Sequence, residues 1–454
     1  MHGIKSREWI DFCGNSAVAA EKTKSEVKNV MNRSFILPVL LLVILSSCAK
    51  REVVYPKGTS IDGMELSGRN PDEVSTALRD AYLDKLSQLT YTIHTESGDA
   101  KLSASDLGLS YDTGNALSQA LTNGGKQKAH LEMDDEKAQN SIAALCGKLT
   151  VLPVPAKAEY DGKGDFVFTE GRDGSAPDAD DLFRKLKTAV AKGESAVITV
   201  GMKVLQPMGA TYDELVAQNT VVAEFTTSFG RSPLNADNRV GNIKKAAEKV
   251  NGTRLSPGES FDTNAVLGDR NEENGWFTAP GIVNGKYRQE YGGGVCQVST
   301  TLYNAALLAD LQIDERTPHS IPVSYVDLGR DATISTGGPN LVFTNNTSDY
   351  LTIAALVNES EETVTVRIFG RKPEGYAKVE LYSEQTGVIY APEPQYVRDT
   401  SLRMGEYVTD RQARNGKRAA TYRIFYDEDG NVLKSETVTR DTYTAFSAIV
   451  LYNN

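Results

Sequence analysis

The sequence predicts an α+β multidomain protein with a small α+β repeat region, a central α+β domain and a C-terminal all-β module. Its 454 residues fit roughly two to four domains, because domains usually contain ~100–200 residues. Hydrophobic residues make up 40% of the chain and charged residues 24%, so it can bury cores and should fold. The apolar pattern mixes helix and strand periods up to Lys372 and is strand-like after Tyr376.

Composition excludes several classes of protein. With 49 Lys and Arg against 60 Asp and Glu, the net charge is −11, so we expect no nucleic-acid partner. The four Cys and four His are far apart, which disfavours a disulfide-dense scaffold and a zinc site of close thiol pairs. The phosphate-loop, dinucleotide and zincin motifs are absent, and we predict no metal and no cofactor.

The N-terminus is interpreted as a targeting segment. The apolar run 35–45 is too short for a membrane span, which needs ~20 residues, and it follows the basic Arg33. The run ends in Leu-Ser-Ser-Cys at Cys48, which resembles the lipobox of bacterial lipoproteins. That resemblance implies diacylglycerol on the Cys48 sulfur and cleavage before it. The alternative is an ordinary signal peptide with a chance cysteine.

Residues 1–48 are therefore assigned to a leader, and the mature chain is expected outside the cytoplasm, anchored to the membrane. Met31 opens a normal signal start, so residues 1–30 fit an upstream extension from a wrong start codon. With Cys48 blocked by lipid, the thiols left for chemistry in the mature chain are Cys146 and Cys296.

The repeat region covers residues 51–210. In each of two copies a short strand meets a polar turn, and Pro71 or Pro177 then opens a helix with acidic residues in its first turn. The apolar residues that follow recur at i, i+3 and i+4, which predicts one buried face per helix. No catalytic cluster is visible here, and residues 211–217 are predicted to be a linker.

The central domain is assigned to residues 218–372 and the C-terminal module to 376–454. The central domain should contain helices and strands, whereas the module should contain strands joined by turns at Asn-Gly and Asp-Gly. The predicted helices are 242–251 and 297–311, and the predicted strands are 323–326, 341–344, 352–357, 363–368, 379–382, 422–426, 431–437 and 448–451.

The densest chemical signal is the block Tyr-Gly-Gly-Gly-Val-Cys-Gln at positions 291–297. Glycines let the backbone approach a ligand closely, and an apolar helical pattern begins immediately after them. Cys296 should therefore sit at a helix N-terminus, where free N–H groups and the dipole stabilise a thiolate. Gln297 or a main-chain N–H could complete an oxyanion site. The glycines expected to floor this site are Gly292, Gly293 and Gly294.

Two residues downstream complete a candidate catalytic set. His319 lies between two prolines and Asp331 follows within 36 positions of Cys296, which would supply a base and an orienting group. Arg330 could bind a substrate carboxylate. Two alternatives remain open: Cys296 is a packing residue in a non-catalytic site, or it forms a disulfide with Cys146.

Several blocks in order resemble the VanW-like family of bacterial cell-envelope proteins, which is named from vancomycin-resistance clusters. The resemblance covers residues 223–370 and rests on 239–243, 251–252, 257–264, 292–307, 319–320 and 329–333. Residues 55–210 resemble the peptidoglycan-binding repeat that often precedes this domain, and 376–454 are similar to G5 modules. The family implies location and partner, not a reaction.

Two functions therefore follow as hypotheses. The first is a membrane-anchored envelope protein that binds peptidoglycan or its precursors. The second is a cysteine-dependent acyl-transfer enzyme, an amidase, peptidase or transpeptidase, that acts on peptidoglycan stem peptides with Cys296, His319 and Asp331. The distance between the Cys296 and His319 side chains discriminates between them, because a nucleophile and its base must be within hydrogen-bond reach.

Overall fold

The computed structural model describes residues 53–230, 236–283 and 286–454. The leader, including Cys48, lies outside this part of the chain. The predicted α+β class is confirmed: helices and small sheets alternate up to Gly370, and strands alone follow. Within the described ranges, no helix is both long and apolar enough to cross a membrane.

The N-terminal region contains four helices and twelve short strands. The helices are α1 (Pro71–Ser87), α2 (Thr113–Asn123), α3 (Asp135–Leu149) and α4 (Ala179–Val190). The strands are β1 (Ser60–Ile61), β2 (Met64–Glu65), β3 (Thr90–Thr95), β4 (Gly98–Ser103), β5 (Ser110–Tyr111), β6 (Lys126–Gln127), β7 (Leu131–Glu132), β8 (Lys157–Tyr160), β9 (Phe166–Thr169), β10 (Gly174–Pro177), β11 (Ala196–Thr199) and β12 (Met202–Leu205).

The two predicted helix starts form for the expected reason. The Asn70 side chain accepts a hydrogen bond from the Asp72 N–H at the start of α1, and Pro71 occupies the first position. At α4 the cap is Asp178, which accepts from the Asp181 N–H. The predicted position of Pro177 at the start of the helix is wrong, because Pro177 is the last residue of β10.

The predicted linker is wrong. Residues 211–217 belong largely to helix α5 (Tyr212–Gln218), which packs against β8 and β9. Its start is a reciprocal cap: the Thr211 hydroxyl accepts from the Glu214 N–H, and the Glu214 carboxylate accepts from the Thr211 N–H. The region before the central domain therefore continues into it through ordered structure.

The central domain packs two helices on an antiparallel sheet. Helices α6 and α8 contact the sheet of order β13-β21-β20-β14, and their apolar faces form one core with it. The helices are α6 (Asp237–Val250), α7 (Thr263–Leu267) and α8 (Val295–Leu308). The strands are β13 (Thr220–Ser228), β14 (Thr253–Leu255), β15 (Ser260–Asp262), β16 (Thr278–Val283), β17 (Lys286–Tyr291), β18 (Gln312–Glu315), β19 (Val342–Thr344), β20 (Leu351–Asn358) and β21 (Thr363–Gly370).

One predicted strand of this domain does not form. Residues 323–326 lie in a long loop that connects β18 to β19. The loop backbone bonds to side chains of α8 instead of to a neighbouring strand: Ser299 Oγ donates to the Ala332 carbonyl at 2.7 Å, and Asn304 Nδ2 donates to the Arg330 carbonyl at 2.8 Å. Helix α8 therefore fixes the path of the loop.

The C-terminal module is built from strands, as predicted. They form two sheets, β22-β25-β26 and β23-β27-β24. The module contacts the central domain through β22, β25 and β26; for example, Arg423 Nη1 lies 2.7 Å from Asp310 Oδ1. The strands are β22 (Lys378–Ile389), β23 (Gln395–Arg398), β24 (Glu406–Arg411), β25 (Gly416–Tyr426), β26 (Val432–Tyr443) and β27 (Ile449–Asn453).

Candidate active site

A hairpin and a glycine loop form one wall of the candidate site. Strands β16 and β17 pair antiparallel, and residues 292–294 follow β17 directly. A side chain on Gly293 would place its Cβ 2.4 Å from the Ala279 carbonyl oxygen, so only glycine fits there. The buried Asn242 amide donates to the carbonyl oxygens of Phe277 (2.9 Å) and Gly293 (3.1 Å). Helix α6 therefore holds the glycine loop against the hairpin.

The glycine loop leads into helix α8, and Cys296 is the second residue of that helix. Gly294 precedes the helix with φ 107°, a conformation that glycine adopts without strain. The Cys296 sulfur lies 3.4 Å from the Ile334 carbonyl oxygen and 3.5 Å from the Ile334 nitrogen. His319 lies close enough to the same sulfur for the two groups to shift each other's pKa. The predicted position of Cys296 at a helix start is confirmed.

His319 and Asp331 both come from the loop between β18 and β19. The imidazole Nδ1 of His319 lies 2.6 Å from Asp331 Oδ2, and the His319 backbone N–H donates to the same oxygen at 2.7 Å. His319 is 7% exposed and Asp331 is 1% exposed. The structure therefore brings Cys296, His319 and Asp331 together, with the imidazole hydrogen-bonded to the carboxylate and near enough to the thiol to interact with it.

The ionised forms of Cys296, His319 and Asp331 stabilise one another. Burial raises the pKa of the Cys296 thiol, but the interactions with His319, and then those with Ile334 and Thr333, outweigh burial and lower that pKa. Burial lowers the pKa of His319, yet Asp331 and Cys296 raise it to about 9. Burial also raises the pKa of Asp331, while its bonds to His319 hold it below its ordinary value. The arrangement favours a thiolate beside an imidazolium.

The thiol and the imidazole open into a cleft of about 900 Å³. Cys296 and His319 lie on its surface together with the glycine loop, and two arginines, Arg239 and Arg270, add positive charge. The Arg270 guanidinium is held in place because its Nη1 donates to the Gly268 carbonyl at 3.0 Å and its Nη2 donates to Asn264 Oδ1 at 2.8 Å. The cleft thus brings a thiol, an imidazole and two guanidinium groups to one volume.

Gln297 also lies at the cleft, but both ends of its amide are engaged inside the protein. Its Oε1 accepts from Arg239 Nη2 at 2.8 Å, and its Nε2 donates to Thr227 Oγ1 at 3.1 Å. The side chain is 1% exposed. This geometry makes Gln297 a support for the position of Arg239.

Arg330 is a correction, since its guanidinium does not line the cleft. Its Nε donates to Asn304 Oδ1 at 2.8 Å, and the guanidinium lies 5.0 Å from the centre of the Phe225 ring. Both contacts tie Arg330 to α8 and β13. A role for Arg330 as a carboxylate ligand does not fit this position.

The disulfide alternative is also contradicted. Cys146 and Cys296 are both free thiols. Cys146 packs in the core of the N-terminal region, whereas Cys296 packs against the core of the central domain. Burial raises the pKa of Cys146, which leaves it an inert thiol.

Sequence reasoning missed the cleft arginines and the amide that holds the glycine loop. Arg239 and Asn242 stand within the 239–243 block that carried the family resemblance, so the signal was present without a role. Arg270 had no such signal. Its packing against Gly292, where a Cβ would lie 2.7 Å from Arg270 Cγ, depends on the fold. Among the described residues, no group of three or more His, Cys, Asp or Glu could hold a metal ion.

Fold and cleft together define a modular protein whose central α+β domain carries a cysteine–histidine–aspartate cluster. Three family models match the chain in the predicted order. Residues 83–199 match the family described as "Putative peptidoglycan binding domain", 238–369 match VanW like protein, and 383–452 match the G5 domain. The resemblance predicted from the sequence is therefore confirmed.

Two curated relatives are similar to parts of the chain. The uncharacterized protein YoaR of Bacillus subtilis (strain 168) is 40% identical over 134 residues, which are 30% of this chain and 43% of that protein. The vancomycin B-type resistance protein VanW of Enterococcus faecalis (strain ATCC 700802 / V583) is 28% identical over 200 residues, or 40% of this chain and 72% of that protein. The chain thus spans less than half the length of the first relative.

A solved structure of the IgA1 protease G5 domain aligns with 17% of this chain and 94% of its own length, at 20% sequence identity. The TM-score of 0.13 is too low to support an argument. The matches to the family described as peptidoglycan binding and to the G5 domain support an extracytoplasmic cell-envelope protein.

Proposed function

We propose that the central domain is a cysteine-dependent acyl-transfer enzyme that acts on the stem peptides of peptidoglycan. One observation carries the proposal: Cys296 and His319 line the same cleft, and the His319 imidazole is hydrogen-bonded on its other side to the buried Asp331 carboxylate. A residue that served only for packing would need neither a buried carboxylate behind His319 nor a thiol pKa lowered by that imidazole.

In the proposed reaction the Cys296 thiolate attacks the carbonyl carbon of a peptide bond. A C–S bond forms, the C–N bond breaks, and the His319 imidazolium gives its proton to the departing amine. The resulting thioester is then attacked by water or by the amine of a second stem peptide. His319 takes the proton of that attacking group, and the sulfur leaves as the thiolate, which restores the thiolate–imidazolium pair.

Asp331 holds the imidazole by its Nδ1 and leaves the Nε2 edge free for the thiol and the substrate. The developing oxyanion is assigned to the main-chain N–H of Cys296. The Gln297 side-chain amide is already engaged, and the N–H groups of Val295 and Gln297 already donate to Gly292 and Gly294. Orientation of the imidazole and stabilisation of the oxyanion are thus both assigned to groups that the fold holds in place.

Substrate recognition is assigned to Arg239 and Arg270. Stem peptides carry carboxylates, and a guanidinium binds a carboxylate with two parallel hydrogen bonds. Arg270 is 9% exposed and is held by Gly268 and Asn264, so it offers a fixed charge at the cleft surface. These residues take the role that the sequence assigned to Arg330.

The flanking modules and the leader support a location for this chemistry at the cell wall. The N-terminal region and the G5-like module are proposed to hold peptidoglycan strands, while a lipid on Cys48 anchors the chain to the membrane. The support is the pair of wall-related family matches and the apolar run that ends in Leu-Ser-Ser-Cys. The enzyme would then act on wall or precursor peptides within reach of the membrane surface.

The direct test incubates the purified full chain with muropeptides and analyses the products by mass spectrometry. We expect shortened stem peptides if water resolves the thioester, and joined stem peptides if an amine does. Cys296→Ala should form neither product, whereas the matched control Cys146→Ala should retain the activity. Unchanged muropeptides that nonetheless bind the chain would overturn the enzyme and leave a non-catalytic peptidoglycan-binding protein.

A further inference from the structure

The C-terminal module reaches into the hydrogen-bond network behind the candidate nucleophile. The phenolic O–H of Tyr443 donates to Asp331 Oδ1 at 2.5 Å, and the Tyr443 oxygen accepts from the Gly329 N–H at 2.7 Å. His319 occupies the other carboxylate oxygen, Oδ2. Both oxygens of Asp331 are thus held, one by the central domain and one by a residue 112 positions further along the chain.

A second contact comes from the same strand. Asp441 and Tyr443 are two positions apart in β26, so both side chains point to one face of the sheet, and both are buried. Asp441 Oδ2 lies 2.6 Å from Arg316 Nη1, and Arg316 Nε donates to the Asp331 carbonyl oxygen at 2.6 Å. The Arg316 side chain is 5% exposed. Asp441 therefore fixes the arginine that fixes the backbone of Asp331.

The loop that carries the imidazole is held by the module as well. The Thr444 N–H donates to the carbonyl oxygen of Ser320, the residue after His319, at 2.9 Å. A Cβ at Gly329 would lie 2.4 Å from Thr421 Oγ1, which shows how closely β25 approaches the loop. The loop is thus clamped between α8 on one side and the module on the other.

We propose that the C-terminal β module is a structural part of the central site, in which Tyr443 and Asp441 position the Asp331–His319 pair. This inference rests on the proposed function, since it assigns a role in aligning the imidazole with the Cys296 thiol. Neither module residue touches the thiol, so both are positioning residues. Undocking of the module would leave Asp331 with one free oxygen and Arg316 with an uncompensated charge.

The expected effects have a defined direction. Without the Asp441 carboxylate, the positive charge of Arg316 is compensated by Asp331 alone, and less of the Asp331 charge stabilises the His319 imidazolium. Without the Tyr443 hydroxyl, Asp331 Oδ1 loses its donor and the carboxylate can rotate away from the ring. The other ionisable groups with a charge interaction with Asp331 are Tyr303 and Tyr325, which both variants leave in place.

The test follows alkylation of Cys296 by iodoacetamide in the full chain across pH, with each thiol measured on its own peptide by mass spectrometry. Asp441→Asn and Tyr443→Phe should each slow Cys296 at pH 7 by about threefold to tenfold, the usual size of coupling in a hydrogen-bonded network. The control Asp429→Asn, in the exposed turn between β25 and β26, should not change the rate. In a His319→Ala background, neither module variant should have any further effect.

Wild-type alkylation profiles for both folded variants would overturn the inference, as would equal slowing in the His319→Ala background. If Asp441→Asn loses its thermal transition, Tyr443→Phe alone decides. A separate result applies to the proposed function. If wild-type Cys296 reacts like an ordinary thiol and ignores His319→Ala, the nucleophile itself fails, whatever the module does.

Discussion

Asp331 accepts two hydrogen bonds from His319 on one oxygen, from the ring Nδ1 at 2.6 Å and from the backbone N–H at 2.7 Å. The second bond fixes the carboxylate relative to the loop, and the first fixes the ring relative to the carboxylate. The ring is therefore oriented before any substrate binds, with its Nε2 edge available to Cys296. Preorganisation of this kind is typical of sites that transfer protons.

The two described thiols should differ in reactivity. Cys296 has a lowered pKa and lies on a cleft, whereas Cys146 has a raised pKa and is 8% exposed in a core. We expect Cys296 to alkylate at neutral pH at least about tenfold faster than Cys146. Peptide mass spectrometry after timed quenching measures both rates in one sample. Comparable rates for the two thiols would contradict the assigned site.

His319→Ala should remove the cause of the low thiol pKa. His319 is protonated below about pH 9, so its charge stabilises the Cys296 thiolate below that pH and is lost as the pH rises through it. The variant should therefore alkylate about tenfold more slowly at pH 7 and approach the wild-type rate above pH 10. The control is His94→Ala, an exposed histidine that also pairs with an aspartate, Asp99. A variant whose pH profile matches the wild type would exclude His319 as the partner of the thiol.

Gly293→Ala tests the close approach between the glycine loop and the hairpin. The added Cβ would lie 2.4 Å from the Ala279 carbonyl oxygen, so backbone must move, at a cost of about 1–3 kcal/mol. We expect a lower melting temperature and slower alkylation of Cys296. Gly281→Ala, in the same hairpin, is the matched control because its nearest neighbour would be 3.8 Å away. Equal melting temperatures for the two variants would show that the loop tolerates a side chain.

Cys48→Ala tests the lipid anchor. Residue 48 ends the apolar run and is the proposed attachment point. The variant should leave the membrane fraction or accumulate unprocessed, as followed by fractionation and by the mass of the mature N-terminus. Unchanged membrane attachment with a cleaved, non-acylated N-terminus would show that the anchor is not a lipid on this cysteine.

The sequence predicted the features that depend on local patterns, which are the starts of the helices. The glycines and the apolar helical pattern placed Cys296 at the start of α8, and the polar turns with their caps placed α1 and α4. The reciprocal cap of Thr211 and Glu214 was also readable as a helix start. It was missed because the segment is short and polar.

The proximity of the Cys296 and His319 side chains could not be predicted from the sequence. It depends on a loop path fixed by bonds to α8 side chains such as Asn304, and no local pattern encodes such a path. The contribution of Tyr443 depends on the docking of a separate module, which periodicity does not describe. The same reason explains Arg330: its neighbours in the sequence suggested a site residue, but tertiary packing turned its side chain toward Asn304.

The most direct measurement of the central claim is the mass of the protein during turnover. The full chain is mixed with a stem peptide and quenched in acid within seconds, and the Cys296 peptide is then analysed by mass spectrometry. We predict an added acyl group on Cys296, labile to hydroxylamine as a thioester should be, and its absence in Cys296→Ala and in a wild-type sample pre-treated with iodoacetamide. Product formation without any acyl adduct on Cys296, or product formation by Cys296→Ala, would contradict the account.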